Sequence, residues 1–227
     1  MLRESNVPEL LRIFFALTAL GLRPGVGAQV EPLAGPPPPY ARFEFAILAG
    51  YRFESTLTFR EPTRYDRVEI DNAPTWGVTS AYNFHRNLGF ELQYSYSAPA
   101  ATAIALNPAV PDRAFSVGMH DFQFGLLICT GDIDQTIRPF LGLAIGATVL
   151  NSDQNLDEKV QLSLGVSAGI KAYFSEHIGV RAEVHYVPVF LYSTGTDPWF
   201  CYDSVCWDTG GRYLQQVDLR AGLTFRF

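Results

Sequence analysis

Few residues in this chain have the type and spacing to do chemistry. His185 stands two residues after Glu183, and Asp218 follows on a later segment. An imidazole beside two carboxylates could act as an acid–base pair. The same three groups are equally at home in a buried network where the histidine is simply satisfied, and that reading is preferred, with no residue assigned a catalytic role. Asp153, Asn155 and Asp157 open like a calcium-binding loop. Glu158 stands where such a loop turns on Gly, however, and Leu164 where it closes on Glu, so the stretch reads as a solvated acidic loop. No Cys and His set has metal-site spacing and no glycine-rich phosphate loop is present, so neither a metal nor a cofactor is expected.

Cys201 and Cys206 flank Tyr202-Asp203-Ser204-Val205 in a polar, aromatic-rich stretch. In an oxidising compartment they could close a small disulfide ring; the alternative is two independent thiols. Cys129 is left over and reads as a buried thiol. Trp199, Phe200, Tyr202 and Trp207 surround the cysteine pair. They are candidates for recognition, since aromatics held in a fixed shape bind well. Alternatively they pack on neighbouring loops or at an interface.

Composition narrows the setting. Of 227 residues 48% are hydrophobic and 18% charged, with a formal net charge of −6. The apolar run Ile13 to Leu22 follows Arg3 and Arg12 and leads into Val26-Gly27-Ala28. At roughly 10 residues, against about 20 for a spanning helix, it reads as the core of a secretory signal peptide over residues 1–28. Removing that segment takes three Arg and two Glu from 17 basic and 23 acidic groups, leaving a charge of −7. Such a surface is a poor partner for nucleic acid. Residues 29–40 contain Pro36-Pro37-Pro38-Pro39 and read as an extended lead-in, and residues 41–227 as one domain.

The elements that position these groups are strands. From Gln216 the chain alternates: Val217, Leu219, Ala221, Leu223, Phe225 and Phe227 are apolar, whereas Gln216, Asp218, Arg220, Gly222, Thr224 and Arg226 are polar or small. The same period recurs from Ala41 to Phe53 and in six stretches between, for eight strands in all. Connections alternate long and short. In an up-and-down arrangement the long ones share one end and the short ones the other, with both termini at the short-turn end. Glu54 to Ala73 reads as a polar insert. Ala98 to Asp112 reads as a packed loop or as strands extended beyond a membrane. Phe115, Val117 and Met119 lie out of step with Phe122 and Phe124, which predicts a bulge near His120. The polar parity collects Arg42, Glu44, Glu91, Asp121, Arg138, Lys171, Arg181, Glu183, His185, Asp218, Arg220 and Arg226, nearly balanced in sign. An eight-stranded barrel is just wide enough to be filled by side chains, so the set is expected to pair off and plug the interior.

An all-β chain of this pattern resembles the small eight-stranded antiparallel up-and-down transmembrane β-barrels of bacterial outer membranes, of the OmpA-transmembrane, OmpX and opacity type. The resemblance covers Ala41 to Phe227. It is carried by the terminal strand with Gly222, Phe225 and Phe227 and by the aromatic turn and strand from Lys171 to Tyr186. It implies an outer-membrane location with periplasmic termini, contact with outer-membrane lipid, and a terminal signal read by the barrel-assembly machinery. It also implies a monomer with a structural or adhesin-like role through extracellular loops and an unknown extracellular partner. A narrow porin-like channel is the first rival. A lipid-modifying enzyme is weaker: lipid A deacylases of this size use a His with a Ser two residues later, and none of His85, His120, His177 or His185 has that Ser. A soluble lipocalin-like barrel would turn the apolar parity inward.

Overall fold

The computed structural model describes residues 43–58, 65–130, 135–152, 159–191, 200–202, 205–207 and 213–227, the backbone alone for 58, 152, 200–202 and 205–207. The signal peptide, the Pro-rich lead-in, Arg42, the Asp153–Asp157 loop and Trp199 lie outside the described residues. So do the side chains of Phe200, Cys201, Tyr202, Cys206 and Trp207.

The described residues form thirteen strands: β1 (Phe43–Glu54), β2 (Leu57–Thr58), β3 (Tyr65–Ile70), β4 (Ala73–His85), β5 (Leu88–Ser97), β6 (Ala100–Ala105), β7 (Arg113–Cys129), β8 (Ile137–Ser152), β9 (Lys159–Tyr173), β10 (Ile178–Phe190), β11 (Phe200–Tyr202), β12 (Val205–Trp207) and β13 (Tyr213–Arg226). Eight of them close a ring in the order β1-β4-β5-β7-β8-β9-β10-β13 and back to β1. The seam between β1 and β13 runs from Glu44 opposite Arg226 to Glu54 opposite Gln216. Phe43 N donates to Phe227 O at 3.2 Å and Phe227 N to Phe43 O at 2.8 Å, so the last residue is stitched to the first described one. Closure matters because an unpaired backbone group in hydrocarbon costs several kcal/mol, roughly.

The alternation sorts side chains as a membrane requires. Ile47, Leu92, Leu143, Ile145 and Leu219 face outward, whereas Arg220 is 3% exposed, which excludes the soluble barrel with its faces exchanged. Aromatic rings ring both rims. At the turn end Phe43 meets Tyr82 and Phe84 meets Phe90, with centroids 5.1 and 4.8 Å apart. At the other end Trp76 lies edge-on to Tyr94 at 5.6 Å, and the Tyr51 hydroxyl donates to Asn72 O at 3.2 Å. Such aromatic girdles, one on each side of an apolar band, mark the two interfaces of an outer-membrane barrel.

Above the second girdle the wall continues. β2, β3 and β6 prolong β1, β4 and β5 past breaks at Ser55-Thr56, Asp71-Asn72 and Ala98-Pro99, and they pair β2 to β3, β3 to β6 and β6 to β7. Glu54 to Ala73 is therefore not a simple polar insert. Val68 and Ile70 turn inward, while Arg67 bonds Asp66 at 3.2 Å and Glu69 at 2.9 Å on the outer side. Those outer charges are what make a half-buried strand look like a loop. Of the two readings of Ala98 to Asp112, the extended strand is the one realised.

The expected bulge near His120 is absent. β7 pairs with β8 without a register shift from Val117 to Cys129, and Val117, Met119, Asp121 and Gln123 all point inward. What changes is the lumen. Its upper storey is apolar, built from Leu57, Tyr65, Val68, Ile70, Met119, Val187, Val189, Leu214 and their neighbours. Hydrophobic residues on the inward parity imitate a bulge when only their polarity is read.

Candidate functional site: the barrel interior

The strand period delivers charged side chains from opposite walls into one narrow space. Arg52 of β1 reaches across the seam to Asp218 of β13, Nε to Oδ1 at 2.6 Å and Nη2 to Oδ2 at 2.9 Å. Its Nη2 also meets Asp121 Oδ2 of β7 at 2.6 Å and Ser95 Oγ of β5 at 3.1 Å. Thr148 Oγ1 donates to the other Asp121 oxygen at 2.6 Å. One layer nearer the turns, Arg181 holds both oxygens of Glu91 at 2.6 and 3.0 Å and Glu183 Oε2 at 2.6 Å. Arg220 Nη2 bonds Glu183 Oε1 at 2.5 Å and His185 Nδ1 at 2.9 Å. Bidentate guanidinium–carboxylate pairs of this kind are strong and directional.

A second cluster sits at the turn end. Glu44 pairs with Lys171, lies 3.7 Å from Arg138 Nη1 and accepts from Asn83 Nδ2 at 3.0 Å. Arg138 also donates to Arg86 O at 2.8 Å. The Phe140 ring packs against both clusters, 4.4 Å from Arg181 Cζ and 5.5 Å from Lys171 Nζ. Leu127, Ala81 and Cys129, a buried free thiol, complete an apolar patch around it.

Glu44, Glu91, Asp121, Arg138, Lys171, Arg181, Glu183, His185, Asp218 and Arg220 are thus all buried in the lumen. Arg226 is a correction. It sits half-buried at the turn rim, where its Nε donates to Glu176 O at 2.6 Å and its guanidinium lies 4.1 Å over Tyr173. Although it is the register partner of Glu44, its guanidinium turns to the rim and lies over Tyr173. Arg52 and Glu54 were not among the expected residues. Both lie on the parity of Glu44, so the signal was present in the alternation itself. The neutral partners Ser95, Gln93, Gln123 and Thr148 sit on the same inward parities.

His185, Glu183 and Asp218 do come together, but both imidazole nitrogens are engaged: Nδ1 by Arg220, Nε2 by Gln123 Oε1 at 3.0 Å. The ring is 1% exposed. No reacting group could approach it without dismantling the cluster. Among the described residues no three His, Cys, Asp or Glu stand close enough to share a metal ion.

Two other candidate groups are placed by the backbone. Gly222 lies at the seam, where a Cβ would run into Ile47 O of β1, so the close approach of the two strands requires glycine there. Phe225 is half-exposed and Phe227 is 68% exposed at the turn rim. β11 and β12 form a separate two-stranded hairpin in which Cys201 stands opposite Cys206 and Phe200 opposite Trp207.

The family model of the outer membrane protein beta-barrel domain matches residues 25–227. Comparison with curated protein sequences returns no match. Among solved structures, Neisserial surface protein A superposes with a TM-score of 0.52 at 10% identity, covering 82% of this chain and 96% of its own. The outer membrane protein OprG from Pseudomonas aeruginosa gives 0.55 at 13% identity, covering 83% and 97%. At such identities the likeness is one of fold.

Proposed function

The chain belongs to the outer membrane protein β-barrel family, and from that premise we propose that it is a closed, non-enzymatic barrel of the bacterial outer membrane that acts through its long-connection end. The observation that carries this reading is the filling of the lumen. Two salt-linked clusters and then an apolar storey occupy it from the turn rim upward. Buried pairs hold such a plug shut because removing one partner strands the other, at a cost of about 3–5 kcal/mol.

Both termini lie on the periplasmic side in this reading, with the short turns, and the storey beyond the Tyr51–Trp76 girdle projects outside the cell. The barrel works as a monomer surrounded by outer-membrane lipid. Its assembly machinery reads Gly222, Phe225 and Phe227. An extracellular partner is engaged by the β11–β12 hairpin, with Trp199, Phe200, Tyr202 and Trp207 as anchors and a Cys201–Cys206 disulfide as the clamp. Their opposed register supports the clamp: paired residues of antiparallel strands have Cα atoms about 4.5–5.5 Å apart, inside the roughly 4.4–6.8 Å that a disulfide bridges.

Planar-bilayer recording tests the closed lumen. The wild-type barrel is expected to insert without stable current steps. Stable, ion-selective steps that vanish on changing Arg181 or Glu183 would make the protein a narrow channel instead.

A further inference from the structure

The central cluster is deficient in positive charge. Among the described residues it gathers five carboxylates, Glu54, Glu91, Asp121, Glu183 and Asp218, against three guanidiniums, Arg52, Arg181 and Arg220. His185 does not make up the difference. Its Nδ1 is 2.9 Å from Arg220 Nη2, and a guanidinium can only donate, so Nδ1 is the acceptor and the ring carries a single hydrogen on Nε2, directed at Gln123 Oε1. The surplus cation of the turn-end trio, Glu44, Lys171 and Arg138, belongs to the other cluster, beyond the Phe140 ring.

Of the two uncompensated charges, one is localised on a single residue. Glu91, Asp121, Glu183 and Asp218 each accept hydrogen bonds from guanidinium or hydroxyl groups. Glu54 does not. Its side chain is 0% exposed, Arg52 Nε is 4.0 Å away, and neither carboxylate oxygen accepts a hydrogen bond.

The layer around Glu54 follows from the strand period. Two residues above Arg52, Ser95, Asp121 and Asp218, which touch one another, come Glu54, Ser97, Met119 and Gln216. Gln216 is the register partner of Glu54, and its Nε2 reaches Met119 Sδ at 3.2 Å across the lumen. That contact leaves Gln216 Oε1 buried without a partner, and Ser97 Oγ is likewise unpartnered. Directly above lies the apolar storey with Leu57, Val187 and Leu214. A layer of unmatched oxygens with one uncompensated carboxylate is thus sealed between a charge cluster and an apolar core, where an unpaired charge is strongly unfavourable.

We propose that this layer binds a monovalent metal cation of the sodium or potassium class, with the Glu54 carboxylate and the Gln216 amide oxygen as ligands and Ser97 Oγ at the same level. All three are hard oxygen donors. A calcium ion would want about 6–8 oxygens and usually several carboxylates, and no three acidic groups converge here. The bound ion supplies charge beside Glu54, since Arg52 Nε and Nη2 are committed to Asp218 and Asp121 and its Nη1 bonds neither oxygen of Glu54.

The test is unfolding of the purified barrel in lipid vesicles, in sodium or potassium chloride against choline chloride at equal ionic strength, so that screening is held constant. The alkali salts are expected to shift the unfolding equilibrium toward the folded barrel, about tenfold when the ion stands at ten times its Kd. E54Q should abolish the difference, Q216M should weaken it, and a variant with both Asp153→Asn and Asp157→Asn should keep it. Equal stability of the wild type in alkali and choline salts would overturn the proposal, as would an undiminished difference in E54Q. Infrared spectroscopy of the wild type gives a readout that needs no variant to fold. A carboxylate band perturbed on exchanging choline for sodium or potassium is expected, whereas a protonated-carboxyl band at neutral pH that E54Q removes would put a proton where the ion is proposed.

Discussion

Arg52 and Arg226 have the same side chain and lie on the same inward-facing parity, yet they differ in what surrounds them. Arg52 is fully buried between Asp121 and Asp218; Arg226 lies at a solvated rim over Tyr173. R52M should therefore destabilise the barrel by about 3–5 kcal/mol, because it strands two buried carboxylates, and R226Q by about 1 kcal/mol or less. Urea unfolding in lipid vesicles measures both, and equal losses would contradict this placement. Which side chains face the lumen was legible in the alternation from residue to residue. How deep each one lies was not. Depth depends on where along the axis a strand begins relative to its neighbours, and that stagger is set by pairing across the sheet, not by local sequence.

At the scale of the strand, the seam between β1 and β13 concentrates two demands on one segment. Gly222 makes room for Ile47 O, and Phe227 is bonded at both its N and O to Phe43. G222V should prevent the seam from closing, so the heat-modifiable band on gels disappears whether the protein is made in cells or refolded in vitro. F227A keeps the backbone bonds. It is expected to lower the amount assembled in cells while leaving the refolded barrel close to wild type in stability. Identical behaviour of the two variants would erase the distinction between closure and recognition. The eight long strands were readable because one face of each is greasy. β3 was not, since Arg67, Asp66 and Glu69 cover its outer side, and β7 seemed broken because its inward face changes from Asp121 to Met119 and Val117 as it rises.

The whole molecule combines two kinds of interior within one continuous wall: salt-linked at membrane depth and apolar above it, where the protein packs as soluble domains do. This division could not be read from composition, because it needs the knowledge that Leu57, Val68 and Ala101, far apart in the chain, meet Val187 and Leu214 over the same opening. The family and the closed architecture were accessible from pattern alone. The second storey was accessible only from pairing.

The three strand breaks, at Ser55-Thr56, Asp71-Asn72 and Ala98-Pro99, fall on three adjacent staves. Beside them β7 and β8 run unbroken for 17 and 16 residues through both storeys. The cylinder is therefore unequally stiff. One flank is a spine and the other is jointed at a single height, so thermal bending of the upper storey should be directed toward the jointed flank. Hydrogen exchange should report this as faster exchange at Thr56, Asn72 and neighbouring amides than at Thr148 and Val149, which lie on the unbroken side. Uniform protection around the circumference would mean that the ladder breaks carry no mechanical weight.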